Sequence, residues 1–158
     1  MTYKWKRDGL EQVYMPRTKF RICPLTTGKP VVISFVSSSV KAGFPSPAAD
    51  YHETPLDLND KLVQNPAATF LVRVDGDSMR DAGIFPGDLL VVDKSVEARD
   101  GSIVVAIVNN EFTLKRFRHG PDGSVMLVAE NPAYKPITFT EGDEVCVWGV
   151  VKHVIRDV

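Results

Sequence analysis

The chain has two cysteines and three histidines in 158 residues, and neither residue type is arranged for chemistry. Cys23 and Cys146 lack metal-ligand spacing, suit a reducing cytoplasm, and read as small buried or half-buried residues. None of His52, His119 or His153 has an aspartate three residues before it, which excludes the esterase arrangement that pairs such a histidine with a Gly-Asp-Ser serine. Gly-x-Ser-x-Gly is absent, so there is no nucleophile elbow. No His/Cys/Asp cluster points to a metal and no Gly-rich loop to a nucleotide, so no cofactor is expected. The longest apolar runs fall well short of the ~18 residues that a membrane-spanning helix needs. No signal-peptide core follows the polar start Met-Thr-Tyr-Lys-Trp-Lys-Arg-Asp. A cytoplasmic protein without membrane attachment is the expectation.

Long helices are scarce too. Pro16, Pro24 and Pro30 interrupt residues 1–41, leaving no room for the two helices of a helix-turn-helix. Val31–Val36 reads as a short β-branched strand. Next comes Ser37-Ser-Ser-Val-Lys-Ala-Gly-Phe-Pro-Ser-Pro47, whose small residues and prolines predict an extended, exposed linker and a domain boundary. The Ser38-x-x-Lys41 pair inside it is a chance match in a chain too short for a β-lactamase.

Beyond the linker, Asp57–Gln64 predicts a short helix with Asp57 as N-cap and Leu58 and Leu62 on one face. Six strands are then predicted, over 70–74, 88–93, 102–108, 111–118, 124–129 and 145–155, separated by Gly, Pro and Asn punctuation. The pattern is that of a compact, mainly antiparallel β domain. Charge is uneven. Residues 1–42 hold eight Lys or Arg against two acidic residues, a net +6, while 11 basic and 18 acidic residues leave −7 on residues 43–158.

Two residues stand out against this background. Lys115 lies in the apolar run Phe-Thr-Leu-Lys-Arg-Phe. A hairpin closed by Asn109-Asn110 pairs Val108 with Glu111, Ala106 with Thr113 and Val104 with Lys115. Period-2 alternation then sets Val104, Ala106, Val108, Thr113 and Phe117 on the face of Lys115, and Ile103, Val105, Ile107, Phe112 and Leu114 on the other. An ordinary lysine is neutral only about one part in a thousand near pH 7.4. Burial disfavours the ammonium, and a neutral amine can take a proton from a hydroxyl. Ser78 supplies the hydroxyl. It sits in the turn Val-Asp-Gly-Asp-Ser-Met, where Gly76 permits a sharp bend and displays the serine at a strand end, near backbone N–H groups suited to an oxyanion.

With these residues in place, the chain resembles the UmuD-like branch of the LexA-like self-cleaving serine peptidases. The resemblance runs through roughly residues 40–155. It is carried by Ala42-Gly43-Phe-Pro-Ser-Pro-Ala-Ala-Asp-Tyr-His-Glu, Gly-Asp-Ser78-Met, Gly83-x-x-Pro86-Gly87-Asp88-Leu-Leu-Val-Val-Asp93, Phe-Thr-Leu-Lys115 and Glu130-Asn131-Pro132-Ala-Tyr134-x-Pro136-Ile137. It implies a curved, mainly β peptidase domain of the LexA and signal-peptidase type over 43–158, with an extended N-terminal arm, residues 1–42, removed on self-cleavage. The missing membrane anchor argues against signal peptidase itself. It further implies Ser78 as nucleophile, Lys115 as general base and Ala42–Gly43 as the scissile bond. The implied partners are a second copy in a homodimer, a RecA filament on single-stranded DNA that promotes cleavage, and a Y-family, UmuC-like translesion polymerase. The arm is longer than is typical of UmuD and shorter than a LexA DNA-binding domain. The alternative is therefore a LexA-like or phage-type repressor whose basic arm binds DNA until self-cleavage removes it.

Overall fold

A computed structural model of the chain describes residues 22–24, 29–36, 53–120, 123–139 and 142–158. The Ala42–Gly43 bond, the linker around it and most of the basic arm lie outside the described residues. The strands are β1 (Ile22–Pro24), β2 (Val32–Val36), β3 (Glu53–Asp57), β4 (Thr69–Arg73), β5 (Leu89–Asp93), β6 (Ile103–Val108), β7 (Glu111–His119), β8 (Val125–Val128), β9 (Ile137–Thr138) and β10 (Val145–Ile155), with one short helix, α1 (Leu58–Leu62). Eight of them form an antiparallel sheet in the order β1-β4-β5-β10-β6-β7-β8-β9, while β2 and β3 pair as a separate ribbon. All seven predicted strands, that over 31–36 and the six beyond the linker, are present with ends shifted by a residue or less.

Three strands had no counterpart in the sequence reading. β1 and β9 are only three and two residues long, too short for a period to show. β3 reads Glu-Thr-Pro-Leu-Asp, and its Pro55 argues against a strand; a two-stranded ribbon has an open side on which a missing N–H costs nothing. The expected helix over 57–64 is shorter than its pattern. Asp57 Oδ1 accepts the Asn59 N–H at 2.9 Å, as an N-cap should, but the last helical bond is Val63 N–H to Asn59 O. Pro66 then opens a 3-10 turn.

β10 is the axis of the sheet. Its first half pairs with β6 and its second half with β5, and the register slips between Val147 and Gly149 and again between Val151 and His153. Such bulges bend and twist a long strand, which lets one sheet curl around its own side chains. Both faces of the central strands are therefore buried. Val72, Val74, Met79, Ile84, Leu90, Val92, Val105 and Leu114 form one core; Val104, Ala106, Phe117, Leu127 and Val150 form the other. The split follows the predicted alternation, with Val105 and Leu114 on one side of the hairpin and Val104, Ala106 and Phe117 on the other. Asn109 and Asn110 at φ 48° and 66° make the tight connection that the right-handed strand twist requires. The register is as expected at Val108–Glu111, Ala106–Thr113 and Val104–Lys115.

The turn between β4 and β5 is locked by a carboxylate. Asp88, 3% exposed, accepts the Phe85 N–H at 2.8 Å and the Arg156 Nε at 2.6 Å, while Arg156 Nη2 donates to Gly83 O at 2.7 Å. The Arg156 guanidinium bonds hold the Asp88 carboxyl below the usual carboxylate range. A depressed folded-state pKa contributes stability above the unfolded value near 3.8, and that stability is lost as pH falls through the folded value. Arg156→Ala is expected to lower the urea-unfolding midpoint at pH 7, because it leaves the Asp88 carboxylate without its cation, with a smaller loss once acid neutralises Asp88. An unchanged midpoint at pH 7 contradicts this role.

Candidate active site

Ser78 stands where the end of β4 runs into a turn that the core itself anchors. Val74 exchanges its N–H and C=O with Asp88 and Gly87, Gly76 turns the chain at φ 99°, and Met79, immediately after the serine, is 1% exposed in the first core. Met79 O then accepts the N–H groups of Ala82 and Ile84 at 3.1 and 3.2 Å, closing a 3-10 turn that Gly83 ends at φ 77°. The serine is thus held between a buried methionine and a short helical turn, with its own side chain only half-buried.

Lys115 comes from the middle of β7, 37 residues later. Hairpin alternation directs it inward, and it is 7% exposed. Its Nζ lies 3.1 Å from Ser78 Oγ and donates to Leu114 O at 2.9 Å and to Thr113 Oγ1 at 3.0 Å. Ser78 Oγ–H in turn reaches Leu114 O at 3.4 Å. The two predicted residues are therefore brought into direct contact, and the lysine does not extend into solvent along the hairpin edge. Burial pushes the Lys115 amine below its ordinary value. No carboxylate among the described residues adds a counter-charge to hold the proton, so the neutral form gains.

Four further residues complete the site, none of them assigned a role by the sequence. Thr113 orients the amine. Its signal was legible, since it lies two residues before Lys115 on the same hairpin face. Asp77, next to Ser78, accepts from Tyr134 Oη at 2.6 Å and Asn131 Nδ2 at 3.2 Å. The Tyr134 bond, more than any other contact, holds the Asp77 carboxyl below its usual range, and the same bond pushes the Tyr134 phenol up. The Tyr134 ring also lies over the amine, with Nζ 6.0 Å from the ring centroid. Asn131 and Tyr134 stood in a motif without a mechanism, because their contacts cross more than 50 residues of chain.

The hydroxyl and amine share one short hydrogen-bond system, in which no histidine among the described residues takes part. Among the described residues, no group of three or more His, Cys, Asp or Glu is placed to hold a metal ion, and no helix is long and apolar enough to cross a membrane. Cys146 is half-buried, and its Sγ lies 3.5 Å from Val147 O.

Comparison with known proteins agrees with this geometry. Residues 32–152 match the family described as Peptidase S24-like. Protein SamA of Salmonella typhimurium strain LT2 is 50% identical over 115 residues, which cover 73% of this chain and 79% of that protein. Protein ImpA of Escherichia coli is 44% identical over 116 residues, covering 73% and 78%. Protein MucA of Escherichia coli is 43% identical over 122 residues, covering 77% and 82%. With the family match spanning most of the chain and both candidate residues inside it, the chain belongs to the Peptidase S24-like serine peptidases, as a UmuD-like SOS-mutagenesis member.

Proposed function

We propose that the chain cuts itself once, between Ala42 and Gly43, with Ser78 as nucleophile and Lys115 as general base. The observation that carries this reading is the 3.1 Å contact between Ser78 Oγ and a buried Lys115 Nζ that has no carboxylate partner among the described residues. In the proposed reaction Nζ takes the Ser78 proton as Oγ attacks the Ala42 carbonyl carbon. The resulting ammonium then gives that proton to the Gly43 nitrogen as the C–N bond breaks. Water, deprotonated by the same amine, releases the Ala42 carboxylate and restores the serine. A chain that is its own substrate needs no wide cleft, and small residues on both sides of the bond let the backbone approach the hydroxyl. Val36 and Glu53, the described residues nearest the bond on each side, are Cα partners in the β2–β3 ribbon. That pairing supports cutting within a segment whose two ends are held together.

The division into arm 1–42 and peptidase domain 43–158 is part of the same proposal. Cleavage would separate a +6 arm from a −7 body and so change which partners the body attracts. In the cytoplasm the chain would act as a homodimer, be cut when it meets a RecA filament on single-stranded DNA, and then serve a Y-family, UmuC-like polymerase as its accessory subunit. The test is incubation of the purified chain at alkaline pH and, separately, with activated RecA, read by mass spectrometry. A fragment beginning at Gly43 is expected in both. Cleavage at any other bond, or none in either condition, contradicts the proposal.

A further inference from the structure

The loop Glu130–Tyr134 grips the nucleophile turn on both sides. Ahead of Ser78, Asn131 Nδ2 donates to the Asp77 carbonyl at 3.0 Å and to its carboxylate at 3.2 Å, and Tyr134 Oη donates to the same carboxylate. Behind it, the Asp81 N–H donates to Glu130 O at 2.8 Å. The loop is also tied to the strand that carries the amine. Arg116, next to Lys115 in β7, bonds the Glu130 carboxylate and donates to Gly101 O at 2.7 Å.

Asn131 is the centre of this arrangement. It is 5% exposed, and its Oδ1 accepts the Ala133 N–H at 3.0 Å, which fixes the orientation of the amide and turns both N–H groups toward Asp77. A side chain that served packing alone would be apolar here, since a buried amide costs stability unless each polar atom is used. The hydroxyl must stay within about 3 Å of its base, and a displacement near 1 Å is enough to cost on the order of 100-fold in rate. The turn that carries the hydroxyl is opened by a glycine at φ 99°, and the Asn131 bonds fix it on the side that the buried Met79 does not.

We propose that Asn131 is a positioning residue for the nucleophile, acting with Asp77 and Tyr134 to hold the Ser78 turn against Lys115. The inference rests on the self-cleavage reading of this site and adds to it a brace whose hydrogen bonds go to Asp77 and not to Ser78 Oγ or Lys115 Nζ.

The experiment compares four forms of the full chain: wild type, Asn131→Asp, the exchange Asp77→Asn with Asn131→Asp, and Tyr134→Phe. Two rates are read, the appearance of the Gly43 fragment and the labelling of Ser78 by a fluorophosphonate, alongside the unfolding midpoint. Asn131→Asp sets two carboxylates against each other and is expected to slow both rates about 100-fold. The exchange puts amide and carboxylate back in contact with the roles reversed, and is expected to recover about tenfold of that loss. Tyr134→Phe keeps the ring and drops one charge-assisted bond, so it is expected to slow both rates about tenfold with little change in midpoint. It carries the test if Asn131→Asp does not fold. Rates equal to wild type in folded Asn131→Asp or Tyr134→Phe, or an exchange that recovers nothing, overturn the brace. A wild-type chain that labels at Ser78 without cutting itself overturns the cleavage reading and leaves the brace to the labelling rates. A wild-type chain that does neither overturns both.

Discussion

Lys115→Met is expected to end self-cleavage and at the same time to stabilise the folded chain near neutral pH. The loss of activity follows from the contact geometry. The amine is the one basic group within hydrogen-bond distance of Ser78 Oγ among the described residues, and removing a paired base typically costs about 10³-fold or more. The gain in stability follows from the cost of burying an ammonium. At 7% exposure and without a carboxylate partner among the described residues, a protonated Lys115 gives up most of its hydration for two hydroxyls and one carbonyl oxygen. Methionine fills a similar volume without that cost, and about 1–2 kcal/mol is the expected gain in urea unfolding at pH 7. The sign of the pH dependence follows as well. Between the lowered folded value and the ordinary 10.5 of the unfolded chain, the unfolded state holds the extra proton. Wild-type stability therefore rises with pH through that window, and the advantage of Lys115→Met shrinks. A variant less stable than wild type at pH 7 would mean that the ammonium is well satisfied where it sits, which would contradict a lysine poised as a base. Activity bought with stability in this way marks a functional residue.

Gly149→Ala is expected to be the most damaging small substitution in the domain. Gly149 lies at the first bulge of β10, where the strand passes from β6 to β5. A Cβ there would come within 2.7 Å of Val92 Cγ1 and 3.2 Å of the Asp93 carbonyl oxygen. Val92 is fully buried in the first core and β-branched, so it cannot swing aside, and the other obstacle is backbone. The strand must move instead, at an expected cost of about 3 kcal/mol in urea unfolding. Because β10 joins the two halves of the sheet, self-cleavage should fall along with stability. A loss below about 0.5 kcal/mol, the range of ordinary surface changes, would show that the bulge relaxes freely.

How much of this was readable from the amino acids depended on the range of each interaction. The β6–β7 hairpin was legible to the residue pair, because Asn-Asn sets its register and alternation sets its faces. Lys115 and Thr113 followed from that register alone. Ser78 was legible as a displayed turn, but its meeting with Lys115 was an inference from chemical need, since 37 residues of chain separate them. The brace was not legible. Asn131 and Asp77 are 54 residues apart, and neither carries a local pattern that announces the other. The ribbon strand β3 was hidden by Pro55, whose usual meaning is overridden where one side of a strand has no partner. β1 shows a different limit. Ile22–Pro24 pairs with β4 and Val32–Val36 with β3, so both described pieces of the arm are joined to the body by strand pairing that composition does not reveal.

The titration of Lys115 itself tests the central claim most directly. With the lysine side chains labelled, its Nζ resonance can be assigned by loss in Lys115→Met and followed with pH in the inactive Ser78→Ala chain. The account predicts a midpoint clearly below the ordinary lysine value of 10.5, coinciding with the pH at which the wild-type rate of Gly43 fragment formation reaches half its plateau. A Lys115 that titrates at or above the ordinary value, or a rate profile with a midpoint elsewhere, would contradict it.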